Sequence, residues 1–291
     1  MLSCLAVVAL ATAVRAYELG EDCFDCDELY AVRIQGITPK AVVSVMARDS
    51  FHTNHPPLMT VPFLPWCAVF GDSEAAVRAL PLVAGVAAVA AILWSGWILG
   101  RPWAGVFGAA LLAVNPLHVT YSVEARQYAL VTALLAVSHA LFVACLRYDS
   151  RGWVLGYYLA AAWAALTHYF AVPVLIGHGV ASLWLVRKPG PARAKGLRLL
   201  LAVVLAGLPY LAWLPVMRFQ SRSKWDHLIP LTTSSLADSL ADLFGLGGWG
   251  PTVGLFLSAL ALGFLAFGVW SAWSANVPVG WGRGPLVPAW G

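Results

Sequence analysis

The residues equipped for chemistry in this chain are few and crowded. EDCFDCDELY, from Glu21 to Tyr30, packs five carboxylates into ten residues of a chain that is only 11% charged. A carboxylate at a membrane surface can take a proton from an attacking hydroxyl or hold a cation. A plainer use exists, because acids in a first helical turn complement the helix dipole and DELYAVRIQG reads as a helix start. NHPPLMTVP sets His55 before two prolines that fix the backbone. VEARQYAL opens a helix with Glu124, Arg126 and Tyr128, where an Arg serves as an interfacial anchor or meets an anion. LTHYFAVP puts His168 and Tyr169 at a helix break, a place also used by capping His and belt Tyr residues.

The elements that must position these residues are membrane spans. The chain has 291 residues and 60% hydrophobic composition, with a mean hydropathy of +0.76. A soluble domain carries about 25% charged residues, and a spanning helix needs about 20 apolar ones. Candidate spans fall at 2–17, 74–99, 103–122, 126–146, 153–167, 170–186, 198–216 and 251–273. The expected fold is therefore an all-α polytopic membrane protein with about seven to eight spans. The stretch 58–70 is too short and too Pro-rich to span and is expected to be interfacial or re-entrant. Residues 2–17 read as a first span, with Arg15 snorkelling at its end, in preference to a cleaved leader, because a basic n-region is missing.

Charge sets the orientation. Arg101, Arg147, Arg151, Arg187, Lys188, Arg193, Lys195 and Arg198 share one side of this layout with a single acid, Asp149. By the positive-inside rule that side is cytoplasmic. The outer side then takes a first loop over 18–73, a turn at 115–128, the break at 167–169 and a loop over 217–250, and the acids other than Asp149 fall on that side. The net charge of +4 gives no support to nucleic-acid binding. GLGGWG at 245–250 fits a dinucleotide fingerprint by letter, without the strand or βαβ unit that would give it meaning. Cys23 and Cys26 form a lone C-x-x-C pair, read as a loop disulfide or two free thiols, with a metal half-site less favoured. A transporter is the rival class. The spans carry little ionisable material away from their ends beyond His118, His139 and His178, which favours chemistry at the surface.

In order along the chain, DELYAVRIQG, NHPPL, FGDSEAAVRALPLVAGV, NPLHVTYSVEARQYAL and LTHYFAVPVL resemble the GT-C class of membrane glycosyltransferases. The likeness is narrower to the bacterial branch related to dolichyl-phosphate-mannose protein mannosyltransferases and lipid A aminoarabinose transferase. The resemblance implies transfer of a sugar, usually with inversion, from a polyprenyl-phosphate carrier among the membrane lipids to an extracytoplasmic lipid, glycan or protein. It implies a multi-pass protein of the cell membrane working on its outer face. It matches Asp27, with Glu28 beside it, to the catalytic acid pair. His55 falls in the segment lining the donor site, and Arg126 at the carrier phosphate. Tyr128, His168 and Tyr169 complete the expected donor-binding set. No cofactor is required by this reading; some relatives use a divalent metal, for which Asp27 and Glu28 are the candidates. The GT-C-like domain is expected over 1–274. The Gly/Pro/Trp tail at 275–291 and the small number of spans lead to the expectation of a truncated chain, and an inactive fragment is the remaining alternative.

Overall fold

The computed structural model describes residues 2–17, 19–29, 56, 58, 61–220 and 232. The chain divides into two compact units, Met1–Lys224 and Trp225–Gly291, and the described residues other than Thr232 belong to the first. Most of the first loop, including His55, lies outside the described residues. So do the GLGGWG stretch, the expected span at 251–273 and the tail at 275–291.

The described residues are helical and contain no strand. The helices are α1 (Leu2–Ala16), α2 (Phe63–Phe70), α3 (Glu74–Ile98), α4 (Pro102–Val114), α5 (Pro116–Tyr121), α6 (Tyr128–Arg147), α7 (Arg151–Thr167), α8 (Ala171–Val186) and α9 (Pro191–Gln220). Among them α3, α6 and α9 are long and apolar enough to cross a membrane, with mean hydropathies of 2.2, 2.3 and 2.2. Helices α1, α4 and α8 are apolar and shorter. The protein is thus an all-α polytopic membrane protein, as its hydropathy predicts.

Its packing is that of a bundle in lipid. Large apolar side chains such as Trp103, Phe107, Leu111, Leu159 and Ile176 face outward, whereas the interior is dominated by alanine. Lipid tails are as apolar as a protein core, so helices associate by close backbone approach between small residues. Ala84 and Ala88 of α3 meet Ala129 and Ala133 of α6 in this way. Where α3 crosses α4, a Cβ added to Gly96 would lie 2.4 Å from Gly105 Cα, so Gly96 needs to be glycine, and a Cβ at Gly105 would come 3.0 Å from Gly96 Cα.

One expected span is divided. The stretch 103–122 is α4 and α5, separated at Asn115. Pro116 has no N–H to continue the first helix, and the Asn115 side chain accepts from His118 N to start the second. The stretch 58–70, too short to span, supplies α2, which Gly71 ends at φ 89°. Trp66 Nε1 donates to Ala76 O at 2.7 Å, tying α2 to the start of α3.

The basic residues collect at one end of the bundle. Arg147 donates to Ile98 O at the end of α3. Lys195 donates to Leu146 O at 2.8 Å, and Arg198 pairs with Asp149 at 2.8 Å. The other ends of the same helices carry the acidic segment and the turns that face it.

Candidate active site

The acidic segment is built around a capping box. Asp25 Oδ1 accepts from Asp27 N at 2.8 Å and Glu28 N at 2.7 Å. Asp25 N in turn donates to Glu28 Oε2 at 3.2 Å. This reciprocal arrangement satisfies the first orphan N–H groups of a helix, and Leu29 N donates to Asp25 O at 3.2 Å as its first turn begins. The helix-start explanation of the acids therefore accounts for Asp25 and for part of Glu28.

Glu28 does more. Arg78, in the first turns of α3, donates from Nε to Oε1 at 2.9 Å and from Nη2 to Oε2 at 2.7 Å. Ala125 N donates to Oε1 at 2.7 Å. Counting Asp25 N, each carboxylate oxygen of Glu28 accepts two hydrogen bonds, which fills its lone pairs. The side chains of the pair are 9% and 3% exposed. Burial pushes the Glu28 carboxyl up, but the Arg78 guanidinium and the N–H groups of Ala125 and Asp25 prevail and hold it below the usual carboxylate range. Arg78 spends its remaining N–H groups on Asp22 O at 2.8 Å, Cys23 O at 3.1 Å and Leu19 O at 3.5 Å. It thus fastens the loop from Asp22 to Glu28 onto α3.

This anchor fixes the two residues expected to do chemistry. Asp27 precedes Glu28 in the chain, and Arg126 follows Ala125. With Glu28 bonded to Ala125, their neighbours come into register, and Asp27 Oδ2 meets Arg126 Nη1 at 2.9 Å. The side chains of Arg126 and Asp27 are 25% and 59% exposed, so the couple faces solvent while its supports are buried. The Arg126 guanidinium lies over the Tyr128 ring, 4.8 Å from the centroid. Tyr128 packs 4.6 Å from Tyr121 and 5.5 Å from His168, measured between ring centroids. His168 ends α7, accepts at Nδ1 from Phe170 N at 3.1 Å, and has its pKa lowered to about 4 by burial and then by Arg126. It is a neutral ring at pH 7. Tyr169 meets Tyr210 of α9 edge-on at 5.8 Å. Leu58 N donates to Leu166 O at 2.9 Å, which brings the segment after His55 to the end of α7.

The structure thus brings together Asp27, Glu28, Arg126, Tyr128 and His168, with Tyr169 next in the chain to His168. Glu124, named with Arg126 and Tyr128 in the VEARQYAL stretch, has its carboxyl raised by burial, opposed by Arg126 and assisted by Asp25, Glu28 and Asp27. Arg78 is the residue that sequence reasoning missed. An Arg among the first residues of an apolar span needs a partner, and that signal was readable. Cys23 and Cys26 are exposed free thiols.

Arg15 departs from expectation. It does not snorkel; it is 0% exposed. Its Nη1 donates to Ala113 O at 2.9 Å and its Nη2 lies 2.6 Å from His118 Nδ1. The break before Pro116 leaves the last carbonyls of α4 without helical partners, and Arg15 takes them. Gly85 makes room for this, since a Cβ there would come 2.3 Å from Ser122 Oγ and 3.1 Å from Arg15 Nε.

For a divalent ion the described residues offer little. No group of three or more His, Cys, Asp and Glu side chains converges among them, and Glu28 has no lone pair to give.

The chain is a membrane glycosyltransferase of the GT-C class. The family model described as dolichyl-phosphate-mannose-protein mannosyltransferase matches residues 54–215, and the chain belongs to that family. The resemblance read from the motifs is borne out. No curated protein and no solved structure matches the chain. The matched stretch contains Arg78, Ala125, Arg126, Tyr128, His168 and Tyr169, and begins after Asp27 and Glu28.

Proposed function

We propose that the chain transfers a sugar, with inversion, from a polyprenyl-phosphate carrier to an acceptor hydroxyl on the outer face of the cell membrane. The observation that carries this reading is the Asp27–Arg126 couple, a carboxylate and a guanidinium held 2.9 Å apart beside buried neighbours. Asp27 takes the acceptor proton as the acceptor oxygen attacks the anomeric carbon. The bond from that carbon to the phosphate oxygen breaks, and polyprenyl phosphate leaves with the electron pair.

Arg126 holds the growing charge on the phosphate. A guanidinium at ~4 Å from a unit charge contributes about 4 kcal/mol at an effective dielectric near 20, and its planar fork suits two phosphate oxygens. Tyr128 keeps the guanidinium oriented, and the neutral His168 ring walls the site beside it. His55 and Tyr169 are assigned to the rest of the donor pocket. Glu28 serves as the positioning residue, through Ala125 and Arg78. No step is routed through a metal. The outer-face location rests on the eight basic residues at the opposite end of the layout, by the positive-inside rule. The domain is assigned to 1–274.

The test is donor consumption by purified protein in detergent, across a panel of polyprenyl-phosphate sugars, with free polyprenyl phosphate followed by mass spectrometry. Release with one sugar supports the reading and names the sugar. No release from folded protein across hexose, pentose and amino-sugar donors contradicts it.

A further inference from the structure

The base and the phosphate cation of the proposed site form an ion pair with each other. We infer that Asp27 and Arg126 mask one another in the resting protein, and that the carrier phosphate frees Asp27 by taking Arg126, so the sugar donor binds before the acceptor. The inference rests on the roles proposed for these two residues.

Four features support it. The contact is not a chance meeting of surface charges, because the Glu28–Ala125 bond at 2.7 Å fixes the backbone beside both partners. The Arg126 guanidinium lies against Tyr128, which limits its swing and keeps it at the site when Asp27 leaves. The contact is an ion pair at the exposed rim of the site, with Asp27 Oδ2 2.9 Å from Arg126 Nη1. A phosphodiester offers two free oxygens to the same fork and so competes well for it. Finally, Asp27 has no second guanidinium to fall back on at Arg78, whose N–H groups are committed to Glu28 and to the carbonyls of Asp22 and Cys23.

With phosphate on Arg126, two anions share one cation. Like charges at that distance repel, and the 59%-exposed Asp27 is the partner free to turn away. It turns toward solvent, where an acceptor hydroxyl arrives. Before the donor binds, Asp27 Oδ2 is held against the Arg126 guanidinium.

The experiment needs neither the sugar nor the acceptor. Full-length protein in detergent is labelled with phenylglyoxal at arginine and with a carbodiimide plus an amine at carboxylates. Peptide mass spectrometry reads Arg126 and Asp27, with and without a polyprenyl phosphate, and with the uncharged polyprenol as control. The expected result is protection of Arg126 together with about a fivefold rise in Asp27 labelling, the factor matching about 1 kcal/mol for an exposed ion pair. Polyprenol should change neither. In Arg126→Gln, Asp27 should label at the raised level without any lipid. Protection of Arg126 with Asp27 labelling unchanged would overturn the masking and leave Arg126 as the phosphate ligand. Failure of the phosphate lipid to protect Arg126 would overturn the assignment of Arg126 itself.

Discussion

The two ends of the bundle use the same residue types to different ends. At the basic end, Arg198 pairs with Asp149 through side chains 50% and 70% exposed, and Arg147 and Lys195 cap nearby helix carbonyls. These contacts join turns already adjacent in the bundle. At the acidic end, Arg78 and Glu28 are nearly buried and tie three separate segments together: the first loop, α3 and the turn before α6. Arg15 does the same for α1, α4 and α5. Charge at the basic end is spread where water or headgroups can reach it. At the acidic end charge is spent on architecture, so that one exposed couple can be held in place. The contrast carries down to neighbouring residues, since Glu28 is saturated and buried while Asp27 is exposed with a single guanidinium contact.

The largest loss is expected at Arg78. Removing one partner of a buried pair leaves an uncompensated charge, at about 3–5 kcal/mol. Arg78→Ala is expected to lower the thermal midpoint in detergent sharply and to release the first loop, which limited proteolysis would detect. The pH dependence sharpens the same point. Glu28 is held below its ordinary value of 4.5, so its stabilisation is present above that pH and is lost as pH falls through the folded value. The stability difference between wild type and Glu28→Gln should be constant above about pH 4.5 and shrink below it; thermal melts across that range would measure it. The smallest effect belongs to the basic end. Arg198→Ala should change stability by no more than about 1 kcal/mol, since exposed pairs contribute little. A loss there as large as that at Arg78 would erase the distinction between the ends.

Much of the fold was legible in the sequence, because lipid imposes one simple demand on length and apolarity. The starts of α3, α6, α7 and α8 fall within two residues of the spans read from hydropathy. The division of 103–122 was less visible, although Asn115-Pro116 carries both a cap and a stop. Arg15 misled because a basic residue at the end of an apolar run usually reaches for the interface. The carbonyls that hold it come from the α4 break, far away in sequence. The site was legible as a set of residue types and illegible as a connection. Asp27 and Arg126 could be named from their motifs. Their contact depends on Glu28 reaching a backbone N–H at Ala125, which no local pattern announces.

The central claim is that neighbouring carboxylates divide the labour, Asp27 reacting and Glu28 holding. Asp27→Asn tests it most directly, with thermal midpoint and release of polyprenyl phosphate measured on the same preparation. The account predicts a midpoint close to wild type and a fall in release of about 10²- to 10⁴-fold, the usual contribution of a general base. Near-wild-type release from the folded Asp27→Asn protein would contradict it.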